Sequence, residues 1–147
     1  MKSVPSCFSY ERFETEAPVG LIPDHIIEIQ EEAFSGCTFG TLYLPKELLQ
    51  IRSFAFEVCS IKDLYINDKL LNIKATAFSD ADIQHVYFPN LNLPWYWIVG
   101  VDKITCLYAL NNTIEEISEK IHQFNLNQKY GVWEKVTKVK CKDGWVK

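Results

Sequence analysis

Long apolar stretches are missing from this chain of 147 residues. No run of about 18 apolar residues occurs, which argues against a membrane-spanning helix. The first twenty residues, MKSVPSCFSYERFETEAPVG, carry several charges and no apolar central segment, so they do not resemble a secretory signal peptide. Both absences predict a cytoplasmic protein that does not associate with membranes.

Signatures of catalysis and of metal binding are missing as well. The five cysteines are widely spaced without a C-x-x-C pair, and the three histidines fall in separate predicted elements. There is no glycine-rich phosphate loop, no G-x-S-x-G and no H-E-x-x-H. We therefore expect no enzyme activity, no cofactor and no metal site. The dispersed cysteines are typical of reduced thiols in a cytosol-like compartment.

Positive charge is scarce outside the C-terminal segment. Residues 128–147 hold six lysines against Glu134 and Asp143, so this segment carries +4 while the rest of the chain carries −8, for a net charge of −4. An acidic body lacks the basic surface that neutralises phosphates. We therefore expect no binding to a nucleic acid backbone. The lysine-rich segment is interpreted either as a solvated strand surface or as a contact for an acidic partner.

What the chain does contain is an internal repeat. The phrases FGTLYLP (39–45), IKDLYIN (61–67) and IQHVYFP (83–89) return at intervals of 22 residues, each with a tyrosine in the same slot. One such unit cannot bury its own apolar face, whereas stacked units can, so the spacing predicts a solenoid whose short strands pair in parallel. The recurring apolar positions are Ile29/Ile51/Ile73, Ala33/Ala55/Ala77, Phe34/Phe56/Phe78, Leu42/Leu64/Val86 and Leu44/Ile66/Phe88.

The segments IQEEAFSGCTFGTLYLP, IRSFAFEVCSIKDLYIN and IKATAFSDADIQHVYFP carry this pattern. They resemble the BspA-like class of leucine-rich repeats over residues 21–89, although Gln30, Arg52 and Lys74 stand where that class often has glycine. The resemblance implies an α/β fold, namely a short leucine-rich-repeat solenoid with parallel strands and 22-residue coils. It also implies a role in protein recognition or adhesion.

The two ends of the chain are predicted to cap a single domain over residues 1–147. Residues 1–20 form the N-terminal cap, 21–110 the repeats and 111–147 a cap of helix and strands. A degenerate first strand is expected at 17–23. The C-terminal helix should begin at a capping box, in which Thr113 and Glu116 satisfy each other's backbone N–H groups. A strand and a turn at Asp143 and Gly144 should follow it.

The repeated tyrosine slot is the main candidate site. Tyr43, Tyr65, Tyr87 and the related Tyr108 lie between two inward positions, and the resemblance implies that this slot faces outward from the strands. The four rings would then form a ladder flanked by Asp63 and His85. Exposed tyrosines in a row are typical of a protein-binding face, which we expect to be mildly acidic. The alternative is that the stacked rings only stabilise the sheet.

Trp95 and Trp97 interrupt the repeat within LPWYWIVG (93–100). Exposed tryptophans at such a break could anchor a partner or a second copy of the chain. The alternative is that they fill the core where the repeats meet the C-terminal cap. A homodimer could form through this segment or through the exposed ends of the solenoid.

These observations favour a non-enzymatic protein-binding module. Its partner is a protein of unknown identity, held by Tyr43, Tyr65, Tyr87 and Tyr108, with Asp63 and His85 adding polar specificity. An intracellular adaptor or inhibitor, such as a phage or parasite effector, fits this reading. Two alternatives stay open. One is a small-molecule or nucleotide binder that uses stacked tyrosines, and the other is a fragment of a surface adhesin.

Overall fold

The computed structural model describes residues 3–4, 12–13, 22–89, 94–126 and 132–147. Within these ranges the chain forms a solenoid of short coils, and each of the first four coils in the stack supplies one strand to each of two parallel sheets. The smaller sheet has the order β1 (Ser3–Val4), β3 (Glu28–Ile29), β5 (Gln50–Ile51) and β7 (Asn72–Ile73).

The larger sheet, called the front sheet below, continues past these four coils to the C-terminus. Its neighbouring strands are parallel except for the last two, which form an antiparallel pair around the Asp143–Gly144 turn. In spatial order it contains β2 (Arg12–Phe13), β4 (Thr38–Tyr43), β6 (Ser60–Tyr65), β8 (Asp82–Tyr87), β9 (Lys103–Ala109), β10 (Val136–Cys141) and β11 (Gly144–Trp145).

The register of the repeat in sequence is also the register of the strands in space. Leu42 pairs with Leu64 and Leu64 with Val86, so positions 22 residues apart are neighbours across the front sheet. The solenoid with parallel strands is therefore confirmed. In the fourth coil the interval falls to 21, and Ile83 pairs with Ile104, as the earlier return of the pattern predicts.

The core lies between the two sheets and is built from the recurring apolar positions. Phe34, Phe56 and Phe78 are 0–1% exposed, and their rings stack with centroids 5.3 and 4.8 Å apart. Trp97 continues this row from a short 3-10 helix at Tyr96–Val99, with its ring centroid 5.0 Å from that of Phe78. We call these four residues the inner ladder. One coil's rings therefore cover the next, as a solenoid requires.

Each turn between the inner ladder and the front sheet passes through the left-handed region of backbone conformation. Gly36, Val58 and Asp80 occupy equivalent positions with φ of 73°, 56° and 57°. Glycine adopts this conformation freely, whereas a β-branched residue does so with strain. The coils therefore keep the same backbone path even where the residue at this position is poorly suited to it.

The N-terminal end differs from the prediction. The strand beside β4 is Arg12–Phe13, which pairs with Thr38–Phe39. The segment 17–23, where the sequence predicts a strand, lies mostly outside the described residues, and its described residues Ile22 and Pro23 belong to no strand. The separation of 26 residues between paired positions shows why the 22-residue pattern did not find the true strand.

The helix α1 (Ile114–Leu126) and its capping box agree with the prediction. The Thr113 Oγ1 accepts a hydrogen bond from the Glu116 N–H at 3.1 Å, and the Glu116 carboxylate accepts one from the Thr113 N–H at 2.9 Å. Asp143 Oδ1 accepts a further bond from the Ile114 N–H at 2.8 Å. The turn between β10 and β11 therefore holds the start of the helix in place.

Candidate functional site

Four tyrosines form a continuous stack on the outer side of the front sheet. Tyr43, Tyr65, Tyr87 and Tyr108 are successive register partners on β4, β6, β8 and β9. Their ring centroids are 4.5, 4.3 and 4.7 Å apart, with interplanar angles of 16°, 4° and 7°. We call this row the tyrosine ladder. Its geometry agrees with the prediction, while its role in binding stays a prediction.

The ladder faces outward because its members alternate with buried residues. Leu64 before Tyr65 and Ile66 after it both point into the core. Tyr43 is 45% exposed, and the other three rings are half-buried because each is covered on its faces by its neighbours. What the ladder presents to solvent is therefore a row of ring edges and hydroxyl groups.

The pKa values of two hydroxyl groups of the ladder, those of Tyr87 and Tyr108, are raised above the ordinary value, so both groups stay protonated at neutral pH. Burial raises the pKa of Tyr87, and the nearby Asp63 carboxylate raises it further, while a hydrogen bond from Tyr65 acts in the opposite direction. A hydrogen bond with the Cys106 thiol is the main cause that raises the pKa of Tyr108. The ladder can therefore donate hydrogen bonds to a bound molecule.

Asp63 and His85 lie together beside the ladder, as the register predicts. They are paired across β6 and β8, and His85 Nδ1 is 2.8 Å from Asp63 Oδ1. The His85 ring also meets the edge of Tyr108, with centroids 5.9 Å apart. This contact holds the imidazole next to the ladder, where its other ring nitrogen can take part in recognition.

Cys106 is the next residue in the same row, opposite His85. The side chain is 4% exposed and lies outside the apolar core cluster, on the outer side of the sheet. Burial is the main cause that raises the pKa of its thiol. A raised pKa disfavours the thiolate form of Cys106 at neutral pH.

The face around the tyrosine ladder is not acidic, contrary to our expectation. It consists of two outward rows, the tyrosine ladder and the row of Thr41, Asp63, His85 and Cys106 beside it. These rows contain one carboxylate, Asp63, which is paired with His85. They end on β10 in two lysines, because Lys138 pairs with Cys106 and Lys140 with Tyr108. Both ammonium groups lie over the ring of Trp145, at 5.7 and 5.1 Å. The negative charge of the body therefore lies elsewhere, and this end of the face is cationic.

A cavity of about 260 Å³ opens alongside the tyrosine ladder, next to Tyr65, Tyr87 and Tyr108. Its lining is mostly apolar, and Leu110 at its edge is 48% exposed. Asn111 is fixed there because its Nδ2 donates a hydrogen bond to the Pro89 carbonyl at 2.9 Å. Its walls include Tyr65, Tyr87, Tyr108, Phe88, Leu110 and Asn111.

Trp95 and Trp97 are not exposed, so their proposed role as contact residues is not supported by the structure. They are 5% and 0% exposed, and Trp95 stacks on Phe88 with centroids 4.7 Å apart. The Trp97 Nε1–H donates to the Pro94 carbonyl at 3.1 Å. Both indoles fill the core beneath the C-terminal cap, which leaves no tryptophan surface there for a homodimer. The neighbouring Tyr96 is 53% exposed instead.

Sequence reasoning missed Lys140, Leu110 and Cys106 as parts of this surface. Lys140 lies on β10, which is separated from the repeats by a helix, so the 22-residue interval does not reach it. Its signal was the alternation in K-V-K-C, where Lys138 and Lys140 alternate with the buried Val139 and Cys141 and therefore lie on the opposite face.

No described group of three or more His, Cys, Asp or Glu side chains is arranged to hold a metal ion. Among the described residues, no helix has the length and apolar character needed to cross a bilayer.

Comparison with protein families gives one result. A family model described as "BspA type Leucine rich repeat region (6 copies)" matches residues 5–129, which is most of the chain. Neither the curated proteins nor the solved structures contain a significant match.

Proposed function

The chain belongs to the BspA-type leucine-rich repeat family, and from this premise we propose that it binds a partner protein through the tyrosine ladder. Family membership points to a protein-interaction or adhesin-like module, and repeats of this kind are typically non-enzymatic. The observation that supports the ladder as the site is the row of stacked, outward rings on the front sheet. Tyrosine is enriched among residues that dominate binding energy in interfaces.

The ladder is suited to recognition because it is ordered before a partner arrives. Each ring is held by its neighbours at stacking distance, and Asp63 and His85 are already paired beside it. A partner therefore loses little binding energy to the ordering of these side chains. The hydroxyl groups supply hydrogen-bond donors along a row of apolar ring edges, and Asp63 and His85 add polar selectivity.

A nucleotide or small-molecule site has weaker support. Neighbouring rings of the ladder already touch, so no base can insert between them. The cavity of about 260 Å³ is smaller than most ligand pockets, which measure roughly 300–1,000 Å³. It matches one side chain of a partner better than a nucleotide.

We also propose an adaptor or inhibitor role inside a cell. The four described cysteines, Cys37, Cys59, Cys106 and Cys141, are free thiols. Free thiols are usual in a reducing compartment. A non-enzymatic mode of action fits the raised pKa of the Cys106 thiol.

The test is to replace two rungs of the ladder and to measure binding and folding in parallel. Tyr65→Ala with Tyr87→Ala should abolish capture of the partner from source-cell lysate while the protein remains folded. Tyr65→Phe with Tyr87→Phe, which keeps the stacked rings, should retain most of the binding. Tyr96→Ala is the matched control, because Tyr96 is an exposed tyrosine outside the ladder.

Unchanged capture by the folded alanine double variant would refute the ladder as the binding site. Loss of the folded state in that variant, together with full folding and full capture in the phenylalanine variant, would assign the rings a structural role. Circular dichroism and thermal unfolding of every variant distinguish these outcomes.

A further inference from the structure

We propose that the partner segment is acidic and extended, and that it places one apolar side chain in the cavity alongside the tyrosine ladder. This inference rests on the proposed function and specifies what the ladder recognises. Three features of the described surface carry it, namely the cavity, the lysines beside it and the pairing of Asp63.

The cavity selects an apolar side chain. It has a volume of about 260 Å³, and its walls are aromatic and aliphatic, with Leu110 exposed at its edge. Burial of an apolar group there removes apolar surface from water, which favours the complex. A leucine, phenylalanine or proline side chain of the partner fits a space of this size and character.

The charge beside the cavity selects acidic residues. Lys140 is the register partner of Tyr108, which forms one wall of the cavity, so the two residues are about one strand spacing apart, roughly 4.8 Å. Lys138 lies two residues earlier on the same strand and has the same orientation. Both ammonium groups lie over the Trp145 ring, which leaves their positive charge intact for a carboxylate.

The one carboxylate in the two outward rows does not oppose this preference. Asp63 is held by His85 at 2.8 Å. It also lies two strands away from β9, because β8 separates β6 from β9 in the sheet. A partner that runs across the strands therefore meets Asp63 and His85 at one end and the lysines at the other.

The geometry also sets the spacing in the partner. An extended chain rises about 3.3 Å per residue, so one strand spacing corresponds to one or two residues. The structure therefore favours a segment in which Asp or Glu lies within about three positions of the apolar residue, before or after it. The acidic end should lie over β10 and the other end over β6.

The experiment is a selection from a displayed library of random 12-residue peptides on the wild-type protein, with counter-selection on Leu110→Asp. Leu110→Asp changes an exposed residue at the cavity edge, so the fold should be retained. Enriched peptides should combine a Leu, Phe or Pro residue with two or more acidic residues. One enriched peptide, made synthetically and labelled, then serves as the probe in fluorescence anisotropy.

Lys140→Glu should weaken binding of that probe by about tenfold, because the substitution replaces an attraction by a repulsion. Lys74→Glu is the matched control, since it changes the net charge equally but follows β7 on the smaller sheet. It should leave the affinity within about twofold. Binding to the wild type should also weaken between 50 and 200 mM salt, because salt screens exposed charges.

Enrichment without acidic residues, or equal effects of Lys140→Glu and Lys74→Glu, would overturn the acidic partner while the ladder remains a binding face. Enrichment of acidic peptides that lack an apolar residue would overturn the role of the cavity. Absence of any peptide that distinguishes the wild type from Leu110→Asp would overturn the whole inference. The capture experiment with the tyrosine variants judges the proposed function separately.

Discussion

Two aromatic ladders run along the same stack of coils, one inside and one outside. In the inner ladder, Phe34, Phe56, Phe78 and Trp97 have centroids 5.3, 4.8 and 5.0 Å apart. In the tyrosine ladder the distances are 4.5, 4.3 and 4.7 Å. The spacing between coils sets the ring distances in both ladders. The inner ladder is fully buried, whereas the tyrosine ladder presents its ring edges to solvent. Stacking geometry alone therefore does not distinguish the two rows, whereas burial does.

The inner ladder should carry the largest share of stability. Phe56→Ala is expected to lower the free energy of unfolding by about 3–5 kcal/mol, because it leaves a cavity between two stacked rings. Phe54→Ala is the matched control, since Phe54 is 37% exposed at the adjacent turn. It should cost less than about 1 kcal/mol. Urea denaturation of both variants measures the difference, and equal costs would contradict the contrast between the ladders.

Substitutions at the turn between the two ladders should change the free energy of unfolding in opposite directions in two coils. Gly36→Val is expected to destabilise by about 1–2 kcal/mol, because a β-branched residue is strained in the left-handed region. Val58→Gly should stabilise by up to about 1 kcal/mol, since the same strain is relieved and Val58 is 57% exposed. Thermal or urea unfolding tests both. Destabilisation by Val58→Gly would show that the strain is absent.

A single rung of the tyrosine ladder should matter less for stability than a rung of the inner ladder. Tyr65→Ala removes two stacked ring contacts, which are worth about 0.5–1.5 kcal/mol each. Tyr65→Phe keeps the stacking and should change the free energy of unfolding by less than about 0.5 kcal/mol. Denaturant titration gives both values. A loss for Tyr65→Ala as large as that for Phe56→Ala would make the outer row part of the core.

The smallest effect is expected at the capping box that begins the C-terminal helix. The Thr113 N–H holds the pKa of Glu116 below its ordinary value of 4.5. A carboxyl whose pKa is lowered on folding stabilises the folded state above its unfolded pKa, and this contribution disappears as the pH falls through the folded pKa. The urea midpoints of wild type and Glu116→Gln should therefore differ slightly at pH 7 and converge below pH 4.5. A constant difference across this range would contradict the role of the carboxylate.

The sequence predicted those parts of the fold that keep the 22-residue interval. Tyr43, Tyr65 and Tyr87 stack as expected because each coil repeats the same backbone path. The 22-residue interval does not predict the strand Arg12–Phe13, because its residues pair with β4 at a separation of 26 residues. It also does not reach Lys140, which enters the front sheet after a helix. The strand register within the repeats follows from the local sequence. The strands added at the two ends of the front sheet are instead determined by tertiary packing.

The position of the tryptophans could not be read from their spacing for a related reason. Trp97 continues the inner ladder from a 3-10 helix, where the turn of the earlier coils is replaced by a different backbone path. Trp97 completes the stack because its side chain is large and long enough to contact Phe78 from this different backbone position. The face was predicted to be mildly acidic because the net charge was taken over the whole chain. The face itself carries Asp63, Lys138 and Lys140, so its local charge differs from the net charge.

The most direct test of the central claim is to place a photo-crosslinking benzoylphenylalanine at Tyr43 and, separately, at Tyr96. The two tyrosines are 45% and 53% exposed, so they offer similar access, and only Tyr43 belongs to the tyrosine ladder. Irradiation in source-cell lysate should give a discrete adduct from position 43 and none from position 96. An adduct from position 96 alone, or equal adducts from both, would contradict the assignment of the tyrosine ladder as the binding face.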